Sequence, residues 1–212
     1  MAEDDPYFQT VKAGYEHAAQ QLIPAYDSLS PTDVLRPVLD HLPDTGASVL
    51  DVGAGTGTVA RWLAKRGCDV TAIEPVDAFR NYAMRGNGAQ SVKWLDACLP
   101  RLSALPDGVA FDSILVIGVL HHLPPRDQHM AIRVLSERLR PQGQMILSLR
   151  HGPCPPDRPG YVSSEDAIVD LAVGSGLRVH HRSRTSSIQP ANQRAGVTWT
   201  WLVFGATFSG AV

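Results

Sequence analysis

The 212-residue chain is short of the features that would place it in several large classes. Cysteine is scarce: Cys68, Cys98 and Cys154 are far apart, odd in number and without CxxC spacing. That excludes a disulfide framework and points to a reduced, cytoplasmic setting. No apolar run approaches the roughly 20 residues needed to cross a bilayer. The opening MAEDDPYFQT lacks the basic and apolar regions of a signal peptide. A basic excess is also missing, and a net charge of −2 argues against wholesale nucleic-acid binding. The charge is uneven, however: residues 1–45 hold eight acids and two bases, whereas residues 126–212 hold ten arginines and six acids. A local basic patch stays open. The length suits one domain with a sizeable core and is too short for two comfortable ones.

What the chain does have is alternation. Strand-like runs at 48–53, 69–74, 91–95, 111–117 and 143–149 are separated by amphipathic stretches at 57–66, 77–86 and 126–139. The last of these opens at Pro124-Pro125 and closes near Pro141. Strict strand–helix alternation predicts a doubly wound α/β fold, its mainly parallel sheet covered on both faces. Helices are expected at 8–20 and 31–41 ahead of the sheet. Behind it, a helix at about 164–174, with Ser163 and Ser164 as candidate caps, precedes two strands at 177–184 and 197–205 that read as a closing antiparallel pair. The expected organisation is one domain over 1–212. It has an N-terminal helical cap (1–45), a core (46–150) and a C-terminal helix with the closing strands (151–212).

The segment VLDVGAGTGTVARWLAKRG (49–67) runs from strand through glycines into helix. Its spacing, Gly53-x-Gly55-x-Gly57, departs from the dinucleotide fingerprint, with Thr58 where the third glycine would stand. Asp51 decides the matter. At the carboxyl end of the first strand it would repel a pyrophosphate but attract a ligand carrying an ammonium group. S-adenosylmethionine is such a ligand, with a cationic amine, a cationic sulfonium and no phosphate. Glu74, 17 residues after Gly57, offers an acceptor pair for ribose hydroxyls, and Asp96, after the third strand, can accept from an adenine amino group.

Five stretches then fall in register: LDVGAGTG (50–57), AIEP (72–75), LDA (95–97), FDSILVIGVLHHL (111–123) and LRPQGQMILS (139–148). In that order they resemble the class I S-adenosylmethionine-dependent methyltransferases. The resemblance implies a seven-stranded sheet with a reversed final strand. It also implies cofactor contacts from Asp51, Gly53, Gly55, Glu74, Asp96 and the backbone around Gly118, and the adjoining Ala54, Gly57, Pro75 and Ala97 join that set. Tyr15, in the N-terminal segment where a lid could close, is a candidate cofactor-side contact; helix packing explains it equally well.

Methyl transfer is an in-line displacement, so the protein must align a nucleophile and manage its proton. His121 and His122, just past the fourth strand, are the candidates for a base; either can instead line the pocket or cap the following helix. IGVLHH is not the Asn/Asp-Pro-Pro-aromatic motif associated with amino methylation, and no Tyr-x-x-x-Lys pair supports nicotinamide chemistry. His151 and Cys154 have no second ligand pair at useful spacing, and no metal is expected. The stretch RHGPCPPDRPGY (150–161) is read either as a rigid surface loop or as a holder of an anionic or aromatic substrate. In RVHHRSR, Arg178, His180, Arg182 and Arg184 share a face, read as a solvated edge strand. Trp199 and Trp201 share a face read as core. The expected function is methyl transfer to an oxygen or nitrogen of a small molecule. The alternatives are an RNA or protein acceptor and a non-catalytic S-adenosylmethionine-binding module.

Overall fold

A computed structural model describes residues 5–206; residues 1–4 of the expected cap and 207–212 of the expected C-terminal part lie outside the described residues. All seven strands join one sheet. They are β1 (Ser48–Val52), β2 (Asp69–Ile73), β3 (Val92–Leu95), β4 (Phe111–Val116), β5 (Leu139–His151), β6 (Leu177–Ser186) and β7 (Thr198–Ala206), in the order β3-β2-β1-β4-β5-β7-β6. Neighbours from β3 to β5 are parallel, and β7 runs antiparallel to both β5 and β6. The doubly wound sheet with a reversed final strand is therefore the one the sequence predicts.

The apolar runs bury both of their faces, as covered parallel strands must. On one side Ile114, Val116, Met145 and Leu147 pack on Ile132 and Leu135 of α5 (Pro125–Glu137) and on Ile168 of α6 (Glu165–Gly174). On the other, Val49, Val70, Leu115 and Ile146 pack on Ala60 and Leu63 of α3 (Thr58–Lys65) and on Leu35 and Val38.

The ends of the chain differ most from the sequence-based expectation. The first helix runs over Pro6–Asp27 (α1), beyond the expected 8–20 at both ends; it starts early because Asp5 caps it by accepting from the amides of Tyr7 and Phe8 at 2.7 and 3.4 Å. The helix expected at 31–41 is broken into a single turn, α2 (Pro31–Val34), and a 3-10 turn over Arg36–His41. Pro37 removes an amide donor there and disfavours helical geometry at the residue before it. Strand β5 starts four residues early and runs on to His151, so the β5–β7 pair projects past the ends of β1 and β4.

Helix α1 lies across the carboxyl ends of the strands. Its Glu16 carboxylate accepts from the amides of Asp77 and Ala78, capping α4 (Asp77–Arg85), while Ala19 packs on Phe79. The 152–162 loop packs along α1 and reaches the cavity beneath it through Cys154, Pro155 and Arg158. Tyr7 and Tyr161 are 4.8 Å apart between ring centres, and the Arg158 guanidinium sits 5.3 Å above the Tyr15 ring. Gly14 makes this packing possible, because a β-carbon there would stand 1.8 Å from the carbonyl oxygen of Asp157.

Candidate active site

Beneath α1 is a cavity of about 870 Å³, at the switch point between β1 and β4 where open α/β sheets take their ligands. Asp51, at the end of β1, forms part of its floor. It is 3% exposed, and its Oδ2 has no hydrogen-bond partner. Burial, and secondarily the Glu74 carboxylate, push its pKa up to about 7. Glu74, just past β2, is also raised to about 7 by burial. Its two oxygens accept from the amides of Gly55 at 2.7 Å and Val76 at 2.8 Å, leaving a second lone pair on each. Two buried carboxylates without an offsetting cation at Asp51 make a site that repels phosphate and calls for a positive ligand.

The glycine loop supplies the space. Gly53 and Gly55 both have positive φ (70° and 56°). A β-carbon at Gly53 would meet Val119 at 2.5 Å, whereas one at Gly55 would stand in open cavity. Ala54, Pro75, Ala97 and Gly118 also line the cavity; the Gly118 amide donates to Ser148 at 2.9 Å. Gly57 does not line it. It starts α3 and lets Trp94 approach within 2.5 Å of where a β-carbon would be. Asp96 also departs from expectation. Its side chain is 59% exposed and held by Arg80 at 3.1 Å, so its neighbours Ala97, Cys98 and Leu99 face the cavity in its place.

The two histidines occupy different environments. His122 Nδ1 lies 2.9 Å from the carbonyl oxygen of Pro159, and its Nε2 lies 2.8 Å from the Tyr15 hydroxyl. A carbonyl can only accept, so Nδ1 carries the proton. Burial holds the His122 pKa down at about 4, so at neutral pH the ring is uncharged and Nε2 accepts from the phenol. Burial likewise raises the pKa of Tyr15. Both His122 nitrogens are thus engaged. His121 packs against it, with ring centres 4.0 Å apart, and its buried Nδ1 has no partner. Burial, then His122 and Arg150, hold the His121 pKa well below the usual histidine range.

The second half of the cavity is walled by the projecting β5–β7 pair. Arg150 and Trp199 are cross-strand partners, with the guanidinium 5.6 Å from the indole centre. Trp201 Nε1 donates to Thr185 at 3.2 Å. Trp201 is core as expected, but Trp199 is only partly buried and lines the cavity beside His121, at 6.0 Å. The polar connection between β6 and β7 contributes Ser187 and Asn192; nothing in its local sequence marked it. Arg178, His180, Arg182 and Arg184 are exposed along the edge strand β6, where Arg182 pairs with Glu165 and Asp166. Among the described residues no cluster of three metal-ligating side chains occurs.

The residues present fit S-adenosylmethionine: an unpartnered buried carboxylate oxygen for an ammonium group, free lone pairs on Glu74 and open space above Gly55. Fold and site together define a binder of a cationic nucleoside. A methyltransferase-domain family model matches residues 16–205. The chain belongs to that family, among the class I S-adenosylmethionine-dependent methyltransferases. A ubiquinone biosynthesis O-methyltransferase from Xylella fastidiosa is 34% identical over 128 residues, which cover 56% of this chain and 50% of that protein. The chain spans about half the length of the curated relatives it matches. Among solved structures, 1,6-didemethyltoxoflavin-N1-methyltransferase from Burkholderia thailandensis superposes with a TM-score of 0.73 at 20% identity, covering 95% of this chain and 89% of that one. The [4+2]-cyclase SpnF superposes with a TM-score of 0.68 at 17% identity, covering 92% and 95%. At such identities the likeness is one of fold.

Proposed function

We propose that the protein transfers a methyl group from S-adenosylmethionine to an oxygen or nitrogen of a small molecule in the cytoplasm, acting as one domain. The observation that carries this reading is the buried, unpartnered Oδ2 of Asp51 on the floor of a cavity that also holds His121. When bound, S-adenosylmethionine supplies a methyl group on a sulfonium, activated for displacement, and leaves as S-adenosylhomocysteine. In this reading Asp51 accepts from the ammonium group and Glu74 from the ribose. Gly53, Ala54, Gly55, Pro75, Ala97 and Gly118 bring backbone close to the nucleoside. Tyr15 lines the cavity on the donor's side and donates to His122, whose tautomer the Pro159 carbonyl fixes. His121 takes the acceptor's proton at a ring nitrogen; its low basicity keeps that nitrogen unprotonated and available at neutral pH.

Cavity size supports a small acceptor, since about 870 Å³ lies within the range of small-molecule sites. The relatives bear names of an O- and an N-methyltransferase. That a [4+2]-cyclase shares the fold keeps a second reading in play, a nucleoside-binding protein with other chemistry. The deciding experiment incubates the protein with S-adenosylmethionine and pools of phenols, ring acids and amines, reading S-adenosylhomocysteine by mass spectrometry. Release dependent on one pool is the expected result. Methyl incorporation into RNA or protein, with none into any small-molecule pool, would overturn the reading.

A further inference from the structure

The charges lining the cavity are arranged unequally. Four basic side chains, Lys12, Arg36, Arg150 and Arg158, reach it. Three have a carboxylate of their own: Lys12 pairs with Asp77 at 3.6 Å, Arg36 with Asp33, and Arg158 with Asp157 at 3.3 Å. Among the described residues, no carboxylate lies within ion-pair distance of Arg150. Its Nη2 donates to the carbonyl oxygen of Pro153 at 2.7 Å and to Asn192 Oδ1 at 3.1 Å, both neutral, and its Nε is buried with no partner at all. Arg150 is half-buried, and a buried donor left unfilled on a cation without a counter-charge is costly unless an acceptor joins it. The guanidinium also offers the fork geometry that carboxylates fit.

The surroundings of Arg150 narrow the choice. The indole of Trp199 lies beneath the guanidinium, with His121 edge-on at 6.0 Å and Gly118 close enough that its β-carbon would be 3.5 Å away. A flat wall with a cation at one end and a proton-accepting candidate at the other suits a flat ligand. The far end of the same cavity carries Asp51 and Glu74, which repel an anion and accept a cation. The cavity is thus divided into an acid-lined half for the donor and a half with an uncompensated cation for the acceptor.

Building on the methyltransferase reading, we propose that the acceptor is a planar, conjugated ring acid whose carboxylate is held by Arg150 and whose ring lies against Trp199, with the atom to be methylated directed at His121. Arg150 then determines specificity through the charge of the acceptor.

The test uses protein loaded with S-adenosylhomocysteine. Benzoate, salicylate, para-hydroxybenzoate, dihydroxybenzoate and nicotinate are titrated by calorimetry, each against its uncharged amide. At least one acid is expected to bind roughly 10- to 100-fold more tightly than its amide, the worth of a hydrogen bond to a charged group. Arg150→Gln should abolish that preference and Arg150→Lys keep part of it, with S-adenosylhomocysteine affinity unchanged in both; that affinity also certifies that the variants are folded. If no acid outbinds its amide, or if the preference survives in Arg150→Gln, the proposal is wrong while the methyltransferase reading stands. If the wild type fails to bind S-adenosylhomocysteine, the methyltransferase reading falls and this proposal with it.

Discussion

The phenol of Tyr15 donates to Nε2 of His122 at 2.8 Å, and that bond separates the roles of two adjacent histidines. With Nδ1 committed to Pro159, His122 has no nitrogen left for chemistry. Its neighbour His121 keeps a buried nitrogen without a partner. Replacing Tyr15 by Phe strands a buried acceptor, which costs about 1–3 kcal/mol. A lower urea midpoint at unchanged m-value is the expected outcome; an unchanged midpoint would mean that the phenol and imidazole are not bonded.

His121→Gln should lower kcat by roughly 10²- to 10⁴-fold, the usual worth of a positioned base, with little change in S-adenosylhomocysteine affinity. Because burial keeps the His121 pKa well below the ordinary histidine range, kcat at saturating donor should stay level from pH 8 down through pH 6 in the wild type. A fall in kcat centred near the ordinary histidine value of 6.5 would contradict the assignment.

Asp51 links folding to pH. Its folded pKa of about 7 lies above the ordinary aspartate value of 3.8, so without ligand it favours the folded state at low pH, and that contribution is lost as pH rises towards 7. His121 and His122, both depressed, oppose it: they disfavour folding in acid and cease to do so as pH rises past 6.5. Glu74, also raised to about 7 and facing Asp51, acts in the same direction, so the comparison of variants reads the Asp51 charge together with its repulsion of Glu74 and cancels the histidines. The difference in Tm between Asp51→Asn and wild type, both ligand-free, should therefore grow in favour of the variant from pH 5 to pH 8. A constant difference would show that Asp51 titrates normally.

Gly14 inverts the ordinary helix rule. Alanine in place of a mid-helix glycine is usually worth about 1 kcal/mol in stability. Here its β-carbon would collide with the Asp157 carbonyl, forcing α1 and the 152–162 loop apart. Gly14→Ala should therefore lower Tm and expose the 152–162 loop to protease, where a rise in Tm would refute the contact.

The central sheet was legible because β1, β2 and β4 are short apolar runs separated by amphipathic stretches, and Asp51 and Glu74 could be placed at strand ends from the sequence alone. The rest depends on partners far away in sequence. Tyr15 and His122 are 107 residues apart, and no local pattern announces their bond. The ion pair between Asp96 and Arg80 of α4 spans 16 residues and was equally invisible in the local sequence. Pro141 reads as a helix stop with the strand beginning at 143, yet the chain passes through Pro141 as an irregular start to β5, with Gln142 at φ 67°. That lengthened strand is what carries Arg150 to the cavity and turns Trp199 from core into wall. Local spacing shows where a side chain leaves the backbone, whereas the cavity is assembled from segments far apart in the chain, from Tyr15 through Asp51, Glu74, Ala97, His121 and Arg150 to Trp199.

The central claim is that Asp51 holds the donor's cationic end. Calorimetry of S-adenosylmethionine, S-adenosylhomocysteine and NADH against wild type and Asp51→Asn tests it most directly. The expected result is binding of the first two only, weakened about 10- to 100-fold by the substitution. Binding of NADH with S-adenosylmethionine ignored, or equal S-adenosylmethionine affinity in both proteins, would contradict it.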